Sequence, residues 1–469
     1  MKITLKKRDA VWSYLGIILS MGASFLLLPF ILLYLDNDSV GLYYIFISLG
    51  ALAQLFDFGF NPAFARNVAY CWSGATELTR TGGSFVSGTD TDFRLFRDVL
   101  DACRFVYRLI SSIAFGLILV FGIFYISYIS RDVPGNSPEI AWMIFAVALF
   151  LNLYFGYYSV FLRGVGAIAE INKATVFAKL IQIVGTVVLL YMGFGLIGTS
   201  IGYLAYGITF RILARHSFLR FHGIGACLEN IPGKAGRDSV IRIVKTIWYN
   251  AWRDGLVSVS NYLLGQAGTI VSSLFLSLEQ TGMYSLSVQL AVAIASIASM
   301  FHSMNQPVLQ SAYITGNVNK QKTVLSFNVI SFICLFVFGM VLLVVVGIPV
   351  IHVIKPTYII SIPVLFAIGA YQFILSFRNC YATYISTTNR VIYYKAFIFS
   401  AILCIVLEFV FTGYFELGVW GLIWAQIFSQ LVYNLWKWPM VVHDELNLSI
   451  KQMIKLAKNE FDRFLRPSL

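Results

Sequence analysis

Apolar runs long enough to cross a bilayer recur along this chain, and its basic residues collect at alternate junctions between them. A hydrocarbon core needs roughly 20 apolar residues per helix. Twelve spans are read: Val11 to Leu35, Ser39 to Phe60, Leu109 to Ile129, Ile140 to Leu162, Thr175 to Met192, Gly195 to Leu213, Gly255 to Leu278, Met283 to Met304, Val324 to Val346, Ile362 to Ile385, Ala396 to Tyr414 and Gly418 to Val441. The runs are too long for barrel strands, which alternate with period two. Composition agrees: 58% of residues are hydrophobic and 12% charged, where a soluble domain carries about 25% charged residues. The expected fold class is an all-α polytopic membrane protein with about 12 transmembrane helices.

An even number of spans puts both termini on one side. Of the 34 Lys and Arg, all but Arg131 and Lys355 fall on that side, a few of them inside span ends. The positive-inside rule makes that side the cytosol. The net charge of +12 is therefore a topology signal and implies no nucleic acid partner. The first apolar run contains Pro29 and lacks a small-x-small cleavage site, so it reads as a span and not as a signal peptide. The six cysteines lie in spans or cytosolic loops with no metal-ligand spacing. Neither disulfides nor a cofactor are expected.

The chain divides into an N-terminal six-helix bundle (1–213), a basic cytosolic connecting loop (214–254), a C-terminal six-helix bundle (255–441) and a cytosolic amphipathic tail (442–469). In the connector, Val240, Ile243, Val244 and Ile247 share a helical face; in the tail, Leu446, Ile450, Met453, Ala457, Phe461 and Phe464 do the same. Each stretch reads either as an interfacial helix on anionic membrane lipid or as a helix packed on the bundle. The halves echo each other. Gly41-Leu42-Tyr43 and Gly282-Met283-Tyr284 open equivalent spans, which lead to Asn61-Pro62 and Gln306-Pro307, and Gly195-Leu196-Ile197 matches Gly421-Leu422-Ile423. Halves with six spans each run parallel, related by a pseudo-two-fold along the membrane normal. Transporters built this way hold cargo between the halves and alternate access.

A charge at the membrane centre costs about 2.5–3.5 kcal/mol unless it meets a cavity or a partner. The in-span charges are Asp57, Lys179, Arg378 and Glu408, with Arg66, Arg163, Arg211 and Asp254 at cytosolic span ends. Arg163 and Arg211 also fit side chains that snorkel to the interface. Asp57 is expected to pair with a nearby cation and fix the second span. Glu408, alone in its span, suits either ion coupling through protonation or pairing across the bundle. The aromatic clusters Tyr43-Tyr44 and Tyr154 to Tyr158 suit sugar stacking or, more simply, interfacial belts. No G-x-x-x-x-G-K-[ST] loop is present, so the chain is not expected to hydrolyse nucleotide.

The stretch Leu28 to Ala69 reads LPFILLYLDNDSVGLYYIFISLGALAQLFDFGFNPAFARNVA. A span ending in Y-L, a short turn, V-G-x-Y, a second span, then D-x-G and a nearby Arg resemble the opening of Wzx-type O-antigen flippases. These belong to the multidrug/oligosaccharidyl-lipid/polysaccharide (MOP) exporter superfamily. The resemblance implies an undecaprenyl-pyrophosphate-linked oligosaccharide as cargo, flipped from inner to outer leaflet of a bacterial cytoplasmic membrane. It also makes a polysaccharide polymerase and a chain-length regulator candidate partners, with a monomer sufficient for function. For that cargo, Arg378 and Lys179 are the expected head-group contacts, with Arg66 and Arg163 as weaker entrance contacts. Superfamily members often carry an acid in the seventh span, where this chain reads Asn261 to Gly268 without one, so no ion-coupling mechanism is transferred there. A cation-coupled drug exporter would need an acid-dominated cavity instead. A membrane polymerase or glycosyltransferase is the less favoured rival, because Asp36-Asn37-Asp38 stands without a sizeable outer domain; no enzyme activity is expected.

Overall fold

The computed structural model describes Trp12, Leu19, Ala23 and residues 26–465, except 73, 80–81, 86–90, 132–136, 232, 234–235, 315, 357–359 and 388–391. Most of the expected first span and the tail beyond 465 lie outside the described residues. What remains of that span is helical over 26–34 (α1).

Nine helical stretches among the described residues are long and apolar enough to cross a membrane. They answer to the second to sixth and the eighth to eleventh expected spans. The seventh and twelfth are not among them, and each is broken. The seventh divides at Gln266 between α10 (Arg237–Gly265) and α11 (Ala267–Phe275). The twelfth divides at Val432 and Tyr433 between α18 (Gly418–Leu431) and α19 (Asn434–Leu446). Multi-pass membrane architecture follows from these helices.

The chain separates into two compact units, Met1–Val259 and Ser260–Leu469. In the first, α2 (Asn37–Gln54) starts where the Asp36 carboxylate accepts the Ser39 N–H at 3.2 Å. This N-cap satisfies an orphan backbone donor and gives Asp36 a structural role. In the second unit, α12 (Leu278–Ala298) starts with a reciprocal capping box between Ser277 and Gln280. Both helices then break. A 3-10 turn over Leu55–Asp57 separates α2 from α3 (Phe60–Trp72), and Ser299 separates α12 from α13 (Met300–Ile314). The echoed sequences thus open the same helix–break–helix unit twice.

Two long stretches between expected spans, Asn61 to Arg108 and the connector, read as cytosolic loops from the sequence, and both are ordered. After α3 comes an antiparallel hairpin, β1 (Ala75–Thr79) with β2 (Gly82–Phe85). The Asp92 carboxylate then caps α4 (Phe93–Ile129), which begins far ahead of the expected third span. The basic connector is helical too. The sixth span, α8 (Gly195–Arg220), runs on into it, followed by α9 (Ile224–Glu229) and the first half of α10. The reason is burial: Ile224, Ile243, Ile247 and Ala251 join Phe64, Phe96, Phe161 and Phe218 in one core of the first unit. The remaining helices of that unit are α5 (Ser137–Tyr154), α6 (Tyr157–Gly164) and α7 (Ile168–Tyr191).

The second unit continues with α14 (Val318–Leu342), α15 (Ile348–Ile354), α16 (Ile362–Thr387) and α17 (Tyr394–Glu408), and ends with α20 (Ile450–Leu465). Its ninth and eleventh spans each contain a π-helical segment, Leu343–Gly347 and Phe409–Tyr414.

Candidate functional site

In the first unit the charges gather at the elbow between α2 and α3. Phe58 and Gly59 both take left-handed backbone angles (φ 42° and 76°). A Cβ on Gly59 would fall 2.3 Å from the Ala251 carbonyl oxygen and 2.7 Å from the Gly255 nitrogen. Only glycine lets α10 cross here at this distance. Asp57 sits at the bend. One carboxylate oxygen accepts the Tyr107 hydroxyl at 2.6 Å and the other accepts the Asn61 N–H, at the start of α3, at 3.1 Å. The expected cation partner is replaced by these two donors: no cation pairs with Asp57 within 4.0 Å among the described residues. Arg163 donates to the Asn61 side-chain oxygen at 3.2 Å, and Arg66 pairs with Asp254 at 3.0 Å. Asp57, Arg163 and Arg66 therefore share one neighbourhood around α3.

Lys179 stands apart from that cluster. From α7 its ammonium donates to Gln182 at 3.0 Å and lies 4.4 Å from the centre of the Tyr206 ring. Tyr206 belongs to a stack along α8 in which Tyr203, Tyr206 and Phe210 follow one another, with Phe145 of α5 against Tyr203 at 4.7 Å. Arg211 continues this stripe. Its guanidinium lies 4.8 Å from the Phe210 ring centre and donates to the Ser159 hydroxyl at 3.4 Å. Its Nε is buried with no partner among the described residues. The sequence signal for this arrangement was the aromatic stripe at i, i+3 and i+7 ending beside an Arg.

The second unit brings Arg378 and Glu408 onto one polar ladder. Arg378 is 1% exposed. It donates to the Gln430 and Asn261 side-chain oxygens and covers the Phe397 ring at 3.9 Å. Glu408 is 0% exposed. Its Oε1 accepts from the Gln426 amide at 2.9 Å, and the same amide nitrogen reaches the Tyr284 hydroxyl at 2.7 Å. Glu408 Oε2 has no partner among the described residues. Gly268 makes room for the group: a Cβ there would lie 2.6 Å from both the Gln426 nitrogen and the Tyr284 oxygen.

Gln426 and Gln430 are one helical turn apart on α18, so a single face serves both charges. Between them Ser429 accepts from Gln430 at 3.0 Å and donates to the Gln426 carbonyl at 2.7 Å. Below them Asn434 donates to Ser400 at 2.6 Å and accepts from Trp438 at 2.9 Å. These amides carry no formal charge, so the cost of charge in lipid does not single them out in the sequence. The spacing Gln426, Gln430, Asn434 in an apolar span was the available signal.

Neither Lys179 nor Arg378 has a carboxylate within 4.0 Å among the described residues. No group of three or more His, Cys, Asp or Glu residues suited to a metal ion occurs among them either.

The chain shares its fold with solved structures of transporters described as members of the MOP superfamily. No family model and no curated protein matches the sequence. Among solved structures, the chain is similar to an inward-facing multidrug-resistance MATE family transporter, at 16% identity over 94% of this chain and 99% of that one, with TM-score 0.62. An outward-facing MATE family transporter matches at 14% identity over 94% and 96%, also with TM-score 0.62. A MOP transporter from Pyrococcus furiosus, described as having a binding pocket of reverse polarity, matches at 15% identity over 94% and 96%, with TM-score 0.58.

Proposed function

We propose that this chain is an alternating-access flippase for an undecaprenyl-pyrophosphate-linked oligosaccharide. Cargo moves from inner to outer leaflet of a bacterial cytoplasmic membrane, with both termini in the cytosol. The observation that carries the reading is that Lys179 and Arg378, both within spans, meet amides and aromatic faces and no carboxylate among the described residues. A cation solvated only by neutral groups keeps its charge available for an anion. Arg matches pyrophosphate oxygens bidentately and Lys acts as a point charge. Arg211, with a buried unpaired Nε near the same aromatic stripe, joins them as a third cationic contact. Arg66 and Arg163 serve the entrance. The Pyrococcus furiosus protein, whose reverse-polarity pocket was taken to suggest a different function, is a precedent for a change of pocket polarity on this fold.

The membrane potential assists. Moving one negative charge outward through an inside-negative membrane gains roughly 2.3 kcal/mol per 100 mV. Glu408 then serves to reset the emptied, positive site.

The test is export of lipid-linked oligosaccharide in cells lacking their own flippase, comparing wild type, Arg378→Ala and Lys179→Ala at equal membrane abundance. We expect surface polysaccharide to fall at least about tenfold in both variants, the loss of a charged contact of about 1.4 kcal/mol or more. Full export by both would remove the cationic site. Efflux of organic cations, lost in Glu408→Gln and retained in Arg378→Ala, would instead establish a drug exporter.

A further inference from the structure

The function just proposed leaves α20 unused, yet the structure fixes this helix firmly. Asn447 turns the chain with a left-handed backbone (φ 46°), and Lys322 of α14 donates to its carbonyl at 3.4 Å. His443 bonds Tyr381 at 3.2 Å on one ring nitrogen and the Leu448 carbonyl on the other. Ser449 and Gln452 then cap the helix reciprocally, at 3.3 and 3.2 Å. Met453 and Ala457 are buried, and Phe461 packs on Phe327 of α14 at 4.9 Å. One edge of α20 thus belongs to the protein.

The adjoining edge does not. Ile450 and Ile454 are 66% and 54% exposed, in a helix held too well for this to reflect fraying. At 100° per residue, Ile454 lies between the packed edge and a stripe of exposed Lys451, Lys455, Lys458 and Asp462, and Ile450 lies on the packed azimuth at the start of the helix. Ile450 and Ile454 follow Asn447, whose carbonyl meets Lys322 at the basic end of a span. An exposed apolar edge at that level, bordered by lysines, is how an interfacial helix meets lipid: isoleucines among acyl chains, lysines at head groups.

We infer that α20 is a binding site for anionic phospholipid of the cytosolic leaflet. Ile450 and Ile454 contact its chains, and Lys451, Lys455 and Lys458 its phosphate groups. Each lysine near an anionic surface contributes about a fivefold preference over a neutral one.

The full-length protein carrying Ile454→Cys, with Cys227 and Cys334 replaced by serine, is labelled there with an environment-sensitive fluorophore. It is reconstituted in phosphatidylcholine vesicles with and without phosphatidylglycerol, some bearing brominated acyl chains. The expected result is quenching by bromine that deepens when phosphatidylglycerol is present. That lipid dependence disappears in a Lys451→Gln, Lys455→Gln, Lys458→Gln variant and persists when the same three become Arg. An unquenched label would overturn the proposal, since the isoleucine edge would then face water or another protein. Quenching that is equal with and without phosphatidylglycerol would overturn it too, by reducing the contact to apolar insertion. Neither outcome depends on which cargo the protein carries.

Discussion

The ion pairs of the first unit and the buried charges of the second make a contrast. In the first unit Arg66 meets Asp254, Arg104 meets Asp101 and Lys173 meets Glu170 at partly exposed positions, while Asp57, Lys179 and Arg211 meet neutral groups. In the second, Arg378 and Glu408 are shut away from solvent and held by neutral amides. An exposed ion pair is worth little, because water already solvates both partners and salt screens them. A buried charge depends on every dipole around it, since nothing else replaces its lost hydration. The amide face of α18 should therefore matter far more to folding than the ion pairs, although ion pairs look stronger on paper.

Five substitutions sharpen or break this contrast. The largest effect is expected for Gln430→Leu, which removes an acceptor of Arg378 and strands the guanidinium. Breaking such an arrangement costs roughly 3–5 kcal/mol, read as a lower midpoint of thermal unfolding in detergent and reduced membrane abundance. Gln430→Glu should fold markedly better while still abolishing export, because a neutralised Arg378 no longer attracts an anion. Next comes Gly59→Ala in the first unit. The left-handed angle and the Ala251 carbonyl both oppose a Cβ, and we expect a loss of about 2–3 kcal/mol in the same unfolding assay.

Tyr107→Phe deletes one hydrogen bond to Asp57 and should cost about 1.5–3 kcal/mol, as for other bonds to charged groups. Arg66→Ala should lie at the bottom, within about 1 kcal/mol of wild type. If Arg66→Ala destabilised the protein as much as Gln430→Leu does, the contrast between the units would fail.

Much of this was legible in the sequence, and the limits have physical causes. Span positions follow from hydropathy because lipid imposes one requirement on every helix. Breaks inside spans do not follow from it. The bends at Phe58 and at Tyr433 preserve hydropathy, and only packing against α10 or the Asn434 network specifies them. The connector and the stretch after α3 were read as loops because charge dominates their composition, yet one apolar face each was enough to fold them onto the first unit's core. In-span charges were found at once by their cost in lipid. Their partners were not, since Gln426, Gln430 and Asn261 carry no formal charge. Arg211 fitted a snorkelling side chain on position alone, and the aromatic stripe it adjoins becomes visible only when helical spacing and charge are read together.

The two π-helical segments, Leu343–Gly347 and Phe409–Tyr414, bear on how this gene tolerates change in length. A π turn houses one residue more than an α turn, so a span containing one is a helix that has absorbed an insertion. Losing a codon there, at Val345 or Val410, lets the backbone return to α winding with the flanking faces kept in register. Losing one at Val184, in uninterrupted α7, rotates every later position of that helix by about 100° and turns its packed face outward. Single-codon deletions that leave a working protein should therefore cluster at these two segments, like expansion joints left in otherwise continuous rails.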